Sequence, residues 1–250
     1  EVIAPSDLGL TLKKPALELR KFQILGVDST VVDGTWKPVW GEVKEIRNNY
    51  KELTLHLKES GVLMDVIFRV FDDGIGFRYF FPSQDNFKHF IVDNEWSSFT
   101  MTGDHNAFWI PGDYDTNEYT YQRTKISEID ALAAAAKEKD IAVTSLMGKN
   151  FVQTPLMLKS ADGLYVNVHE AALINYPAMH LKLEGLEFTS ALVPDAVGNK
   201  AYVQTPFNTP WRTMVISNKA EQILASKLIL NLNEPSKIKD STWIKPQKFM

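Results

Sequence analysis

The residues of this chain whose types best suit chemistry lie in one run, at positions 108–119. The run combines aromatic rings, three carboxylates, one asparagine and the Pro111-Gly112 pair. Proline fixes φ and glycine accepts positive φ, so the pair predicts a turn that ends a strand and opens an exposed loop. Carboxylates accept hydrogen bonds from sugar hydroxyls, and aromatic faces stack on sugar C–H groups. The run therefore favours carbohydrate contact, although a packed aromatic turn with solvated acids explains its composition equally well.

Trp109, Asp113, Asp115 and Glu118 are the candidate cleft-rim residues of this run. Glycosidases place their two catalytic carboxyls roughly 5–5.5 Å apart in retaining enzymes and ~6.5–9.5 Å apart in inverting enzymes. Neighbouring loop carboxylates can meet these distances by chance. The Asp-x-Asp-x-x-Glu spacing is similar to that of a calcium loop, but it lacks the glycine and the full loop pattern of an EF-hand. Spacing alone therefore identifies neither a catalytic pair nor a metal loop.

Glu170 is a second candidate, because it ends a strand-like run and precedes two alanines. Strand alternation places His169 and Glu170 on opposite faces, so the two side chains should not form one site. A carboxylate at a strand end, flanked by small residues, can reach into a neighbouring cleft. A solvated surface glutamate is the commoner alternative.

Other side chains give weaker functional signals. Trp36, Trp40, Trp109 and Trp211 could form a sugar-stacking platform, but aromatic residues of an all-β domain more often lie in the core. Arg47 and Arg212 are expected to satisfy buried carboxylates or carbonyls rather than bind a ligand. The five histidines lack metal-binding spacing, and there is no glycine-rich phosphate loop or G-x-S-x-G nucleophile motif.

Strand signals dominate the chain and must position these residues. Three hairpins are predicted at positions 62–81, 156–173 and 179–192, each with an Asp-Gly or Glu-Gly turn between apolar strands. Positions 87–92, 212–216 and 224–232 supply further predicted strands. Many short strands with frequent turns are typical of a β-sandwich or barrel rather than of alternating β and α units.

One segment, positions 127–139, departs from this pattern. It has the highest helix propensity in the chain, with Ser127 placed as its cap. Its alanine face offers little to bury, so we expect a mobile helical insertion between strands.

Composition bounds the class of protein. The 250 residues allow one large domain or two small ones, and 44% hydrophobic residues suffice for a core. A net charge of −4 provides no basic surface for binding nucleic acid or an anionic membrane. No apolar run is long enough to span a bilayer. The absence of cysteine excludes disulfides and thiolate metal sites. The chain opens on Glu1 rather than Met, so we expect a trimmed start and infer nothing from a missing signal peptide.

Six ordered blocks of the chain resemble the amino-terminal domain of glycoside hydrolase family 97, which contains bacterial α-glucosidases and α-galactosidases. The blocks are TWKPVWGE at 35–42 with EIRN at 45–48, FRVFDDGIGFRY at 68–79, GDHNAFWIPGDYDTNEY at 103–119, NVHEAAL at 167–173, QTPFNTPWRT at 204–213 and LNLNEP at 230–235. The resemblance implies a mainly β fold, a large antiparallel β-sandwich with a short helical insertion near 127–139. It places the sandwich at 1–242 and the start of a linker to a (β/α)₈ catalytic barrel at 243–250.

The resemblance also implies which residues come from the barrel and which from the amino-terminal domain. The catalytic acid, base or nucleophile of the family come from the barrel, which leaves Asp113, Asp115 and Glu118 to loop architecture and the cleft rim. A glutamate of the amino-terminal domain helps to hold calcium at the active site, and Glu170 is the natural match. One carboxylate would bind calcium weakly, because calcium takes six to eight oxygen ligands. The expected partners are the barrel and an α-linked oligosaccharide, and the expected location is periplasmic or secreted.

Two alternatives remain open. The chain could be a free-standing carbohydrate-binding module with an exposed row of tryptophans, or a complete small hydrolase that uses Asp113, Asp115, Glu118 or Glu170. An accessory domain should instead expose an apolar patch where the barrel docks, and this patch would promote self-association in isolation.

Overall fold

The computed structural model describes residues 1–245 and is built mainly of antiparallel strands. In chain order the strands are β1 (Ile3–Ala4), β2 (Leu10–Lys14), β3 (Leu17–Leu19), β4 (Gln23–Trp36), β5 (Ile46–Glu59), β6 (Val62–Phe71), β7 (Gly74–Phe81), β8 (His89–Glu95), β9 (Ser98–Met101), β10 (Asn106–Trp109), β11 (Gln122–Lys125), β12 (Phe151–Gln153), β13 (Leu156–Lys159), β14 (Tyr165–Ala171), β15 (Met179–Glu184), β16 (Glu187–Leu192), β17 (Ala201–Gln204), β18 (Phe207–Asn208) and β19 (Trp211–Ser217). The helices are α1 (Ala131–Ala135), α2 (Ala220–Ala225) and α3 (Leu228–Asn231), with a 3-10 turn at Ile126–Glu128.

The strands form two layers. One layer is a ten-stranded sheet in the order β11-β10-β13-β14-β19-β7-β6-β5-β4, with β18 also paired to β7. The other layer contains a five-stranded sheet, β1-β9-β16-β15-β12, and a four-stranded sheet, β17-β8-β2-β3. The main hydrophobic core takes residues from all three sheets, so it lies between the layers as in a β-sandwich. This confirms the mainly β, antiparallel fold class.

The three predicted hairpins are present because their turns are specified locally. Strands β6 and β7 pair from Asp65↔Phe80 to Phe71↔Gly74, around the Asp72-Asp73 turn. Strands β13 and β14, and β15 and β16, pair in the same antiparallel way. Alternation then sorts each strand between core and solvent, as in β6, where Val62, Met64 and Val66 are buried and Leu63 is exposed.

The helical insertion is present but shorter than predicted. The α-helix covers Ala131–Ala135, and Asp130 rather than Ser127 caps it, since the Asp130 carboxylate accepts from the Ala133 amide. Ser127 instead donates its hydroxyl to Asp104 at 2.7 Å. The expectation that the alanines have little to bury is wrong, because Ala131 and Ala134 belong to the main core.

The predicted strand at 224–232 is also wrong, since this segment forms α2 and α3. Leu228 and Leu232 are buried four residues apart, which is the spacing of one helix face. Together with Trp211 and Val215 they form a second, smaller core on the outer side of the large sheet. The backbone at Gly76 makes this close packing feasible, because a Cβ there would lie 2.6 Å from the Leu232 side chain.

Within residues 1–245, no helix is long and apolar enough to cross a membrane. The predicted linker at 243–250 lies largely outside the described residues.

Candidate functional site

Glu170 lies near the end of β14, opposite Arg212 on β19. Opposite residues of an antiparallel pair point to the same side, and here that side is the interior of the sandwich. His169 is paired with Thr213 and points to the other side, as strand alternation predicts. Only 7% of Glu170 is exposed, so it is not an ordinary solvated glutamate.

Arg212 joins two carboxylates across the sandwich. Its Nε and one terminal nitrogen donate to the two oxygens of Glu95, each at 2.7 Å, and its other terminal nitrogen donates to Glu170 Oε2 at 2.7 Å. The second Glu170 oxygen accepts from the Met179 amide at 3.1 Å. This cluster of Glu95, Glu170 and Arg212 confirms the prediction that Arg212 satisfies buried carboxylates.

The cluster contains one cation and two acids in a dry environment. Burial raises the pKa of Glu170, although the neighbouring Arg212 charge opposes this shift. Burial also acts to lower the pKa of Arg212, but the Glu95 and Glu170 carboxylates outweigh it and raise that pKa. Both carboxylates are therefore held by the guanidinium, and the pair does not present free acid and base groups to a substrate.

The predicted rim residues of the 108–119 run divide into core and surface. Trp109 is only 1% exposed and donates its indole N–H to Thr124 Oγ1 at 3.0 Å, so the structure places it in the core rather than at a rim. Trp211 is likewise buried, whereas Trp40 is exposed. The four predicted platform tryptophans therefore do not form an exposed row.

Asp113 organises the loop that follows the strand end. Its buried carboxylate accepts from the amides of Asp115 at 2.8 Å and Ser145 at 2.9 Å, and from the Tyr119 hydroxyl at 2.7 Å. Burial acts to raise the pKa of Asp113, but these hydrogen bonds outweigh it and hold the pKa below its usual value. Asp113 thus has the loop-architecture role that the sequence predicts.

The Asp113 loop borders an open cleft of about 750 Å³. Asp113, Asp115 and Asn117 line one side, and Asn175, Tyr176 and Tyr202 line others. Glu118 is exposed but is not among the lining residues. The cleft therefore combines carboxylate, amide and phenol groups, which can exchange hydrogen bonds with hydroxyl groups of a ligand.

One loop connects the cleft with the Arg212 cluster. Tyr176 lines the cleft and donates its hydroxyl to Glu95 at 3.2 Å. Two residues of the same loop, Ala172 at φ 53° and Asn175 at φ 52°, adopt the left-handed conformation that alanine rarely takes. Leu173 and Ile174, between them, are exposed. The backbone thus holds two large aliphatic side chains at the surface beside Glu170.

The family model for the glycosyl-hydrolase 97 N-terminal domain matches residues 1–235. The chain belongs to glycoside hydrolase family 97.

Relatives of this family 97 domain are considerably longer. A retaining α-galactosidase of Bacteroides thetaiotaomicron is 26% identical, over 99% of this chain but 39% of the relative. A probable retaining α-galactosidase of Streptomyces bingchenggensis is 24% identical, over 98% of this chain and 34% of the relative. The chain therefore spans little more than a third of the curated relatives it matches.

Solved structures agree with this assignment. A family 97 enzyme from Pseudoalteromonas sp. strain K8, in complex with acarbose, is 32% identical, with a TM-score of 0.84 over 98% of this chain and 35% of that chain. A β-arabinopyranosidase shares the fold at 19% identity, with a TM-score of 0.69.

Among residues 1–245, no group of three or more His, Asp or Glu side chains could hold a metal ion. Glu170 alone falls short of the six to eight oxygen ligands that calcium takes, and both its oxygens already accept hydrogen bonds. A calcium ion held by Glu170 would need most of its ligands from elsewhere.

Sequence reasoning did not identify Glu95 or Tyr176 as members of the site. In β8, alternation from the buried Phe90 and Val92 predicts that Glu95 faces solvent. The pairing of β2 with β8 contains an irregularity between Val92 and Asn94, and this shift turns Glu95 into the interior.

Proposed function

We propose that this chain is the non-catalytic amino-terminal domain of a family 97 glycoside hydrolase that acts on α-galactosides or α-glucosides. The observation that carries the proposal is the match over almost the whole chain to enzymes of which it covers only about a third. The curated relatives are named as retaining α-galactosidases, which favours the galactoside. The domain would pack on a catalytic barrel supplied by the rest of the enzyme, in a periplasmic or secreted location.

The two carboxylates that face each other inside this chain support an accessory role. Glu95 and Glu170 both bind Arg212, so neither is free to act as acid, base or nucleophile. The cleft beside them, lined by Asp113, Asp115 and Asn117, is the surface we propose for contact with the oligosaccharide. The buried positions of Trp109 and Trp211 give no support to a free-standing stacking module.

Hydrolysis assays test this function. The 250-residue chain and the full-length gene product would be incubated with aryl α-galactoside and aryl α-glucoside, each with calcium and with a chelator. We expect turnover from the full-length protein and none from the chain alone. Turnover by the chain alone would contradict the accessory role, and no turnover of either substrate by the full-length protein would contradict the proposed activity.

We further propose that Glu170 gives one oxygen ligand to a calcium ion whose other ligands lie in the remainder of the enzyme. Glu170→Gln in the full-length protein is expected to weaken calcium affinity in calorimetry, because the amide removes the charge but can still accept from Arg212. Glu118→Gln changes an exposed loop carboxylate outside the cleft and is the matched control. Equal calcium affinity in both variants would overturn the role of Glu170.

A further inference from the structure

The loop at residues 172–175, which follows β14, exposes two aliphatic side chains at one end of the large sheet. Leu173 is 45% and Ile174 60% exposed. Ala172 and Asn175 flank them with φ of 53° and 52°. The left-handed conformation costs free energy for alanine and persists only where the surrounding structure fixes it. The chain therefore holds Leu173 and Ile174 outward at a conformational cost.

The Arg212 cluster holds the base of the 172–175 loop from both sides. Before the loop, Glu170 accepts from Arg212 at 2.7 Å. After the loop, Tyr176 donates its hydroxyl to Glu95 at 3.2 Å, and Glu95 accepts two hydrogen bonds from the same Arg212. Both ends of the loop are thus fixed to one buried guanidinium. A loop that is fixed before binding loses little conformational entropy when a partner covers it.

The segment 228–234 leads out of the sandwich and runs toward this loop. Its side chains lie beside successive outward positions of β7: Leu228 at Gly74, Leu232 at Gly76 and Glu234 at Arg78. These positions face outward because the alternate residues Ile75, Phe77 and Tyr79 pack in the main core. The segment therefore follows β7 along the outer side of the large sheet, from the start of that strand toward its end.

The segment reaches the base of the loop at the second core. Glu234 accepts from Arg78 at 3.2 Å, and the Arg78 guanidinium stacks on the Trp211 ring at 4.3 Å. Trp211 belongs to the second core, together with Leu232 of the segment, and the partly buried Ala172 of the loop packs against it. The segment and the loop therefore pack on the same side-chain cluster, and polypeptide that follows the segment starts beside the loop.

The length of the relatives indicates what this polypeptide is. The matched family model describes an amino-terminal domain, and more than half of each curated relative lies outside the matched region. In an enzyme of that length, a carboxy-terminal remainder larger than this domain would follow the segment 228–234. Glu170, for which we propose a calcium ion in the same remainder, also lies at the base of the loop.

We propose that the 172–175 loop inserts Leu173 and Ile174 into the carboxy-terminal remainder and anchors the interface between the two. This inference rests on the proposed function, because it names where the domain meets its catalytic partner. The remainder supplies an apolar pocket for the two side chains, as buried anchors of protein interfaces require. The Arg212 cluster holds the loop in the inserted conformation before the two parts meet.

Cysteine labelling tests the proposal, because the 250 residues contain no native cysteine. Ile174→Cys reports on the loop. Val39→Cys is its matched control, since Val39 is 50% exposed and lies between β4 and β5, at the opposite end of the large sheet from the loop. Each variant would be made in the 250-residue chain and in the full-length gene product. Maleimide labelling would be located by peptide mass spectrometry at two protein concentrations, with and without an α-galactoside.

We expect both cysteines to react in the dilute 250-residue chain. In the full-length protein, Ile174→Cys should react about tenfold more slowly or less, at both concentrations and without sugar, because buried cysteines are inert. Val39→Cys should keep its rate. Equal labelling of Ile174→Cys in both proteins would overturn the anchor. Protection that grows with concentration, or that needs the sugar, would also overturn it, because a second copy or the ligand would then cover the loop.

The glycosidase assay separates this inference from the proposed function. A full-length protein that hydrolyses an α-galactoside while Ile174→Cys remains reactive would leave the function intact and reject the anchor. Protection of Ile174→Cys without any hydrolysis would retain the anchor and reject the activity.

Discussion

Arg212 is a buried cation that holds two carboxylates inside the sandwich. Removing one partner of a buried ion pair typically costs about 3–5 kcal/mol, because the remaining charge is left without compensation. Arg212→Met would leave Glu95 and Glu170 inside the sandwich without their cation. We expect the free energy of unfolding to fall by roughly this amount in urea denaturation.

Arg47→Met is the control for this prediction. Arg47 pairs with Asp33 at 2.7 Å, but both side chains are more than half exposed. Exposed pairs contribute about 0–1 kcal/mol, so the loss should be small. Comparable losses in the two variants would contradict the prediction for Arg212. The prediction that Arg47 serves buried groups is wrong for its side chain, since Asp33 is exposed.

Asp113 gives the loop beside the cleft a dependence on pH. Its pKa is lower in the folded chain than its unfolded value of about 3.9, so its contribution is present above that pH and is lost as pH falls through the folded pKa. Asp113→Asn should lower the free energy of unfolding by about 1–3 kcal/mol at pH 7. The difference from wild type should shrink below about pH 4.

Denaturant titrations between pH 7 and pH 2.5 measure this difference. Asp115→Asn is the control, because Asp115 is exposed and its side chain is not the acceptor in the loop. A loss in Asp113→Asn that stays constant across the range would show that geometry, rather than charge, accounts for the role of Asp113.

For individual residues, the sequence could predict which face of a strand a side chain occupies but not which distant side chain it contacts. The opposite orientation of His169 and Glu170 follows from strand alternation alone, and the pairing confirms it. The partner of Glu170 lies 42 residues away and Glu95 lies 117 residues from Arg212, so no local pattern encodes the cluster. An irregularity in β8 also reverses the alternation that would have revealed Glu95.

Among the elements, those with local turn signals were predictable and those defined by packing were not. The Asp-Gly and Glu-Gly turns specify three hairpins, because the two strands of each hairpin are only a few residues apart in the sequence. The segment 224–232 has the apolar content of a strand, but the outer face of β7 and β19 selects a helical arrangement that buries Leu228 and Leu232 together. The long strands β4 and β5 escaped prediction, because most of their side chains are not buried and show no clean alternation.

His56 on β5 links the neighbouring strands β4 and β6, so its protonation should make the stability of this edge of the large sheet depend on pH. Hydrogen bonds to Asp28 on β4 and Asp65 on β6 raise the pKa of His56. A raised pKa contributes stability that is complete below the unfolded value of about 6.5 and is lost as pH rises through the folded pKa.

His56→Gln should therefore remove a stabilising contribution that wild type has at pH 5.5 and lacks at pH 9. Hydrogen exchange of the β4 amides in both proteins at the two pH values, corrected for intrinsic exchange, measures this contribution. Equal protection of β4 in wild type and variant at pH 5.5 would contradict it. The effect should be modest, because His56 is more than a third exposed.

For the whole molecule, the two layers differ in extent, and the larger sheet has a part without cover. Light scattering of the 250-residue chain should reveal weak, concentration-dependent self-association through the exposed aliphatic side chains Val27 and Val31 of β4 and Leu53 of β5. Val31→Asp should reduce this association, and Thr30→Asp on the outer side should leave it unchanged. A strictly monomeric wild type at high concentration would contradict this prediction.

Within residues 1–245, β4 pairs only with β5 and so leaves one edge of the large sheet open, which has a consequence for biosynthesis. The matched region is amino-terminal in the family, and protein domains generally fold in the order in which they leave the ribosome. At roughly 5–20 residues per second, the sandwich would wait on the order of tens of seconds for the remainder of a long enzyme. During that time the unpaired edge of β4 would be open to neighbouring nascent chains, so association between edge strands would compete with completion of the longer protein.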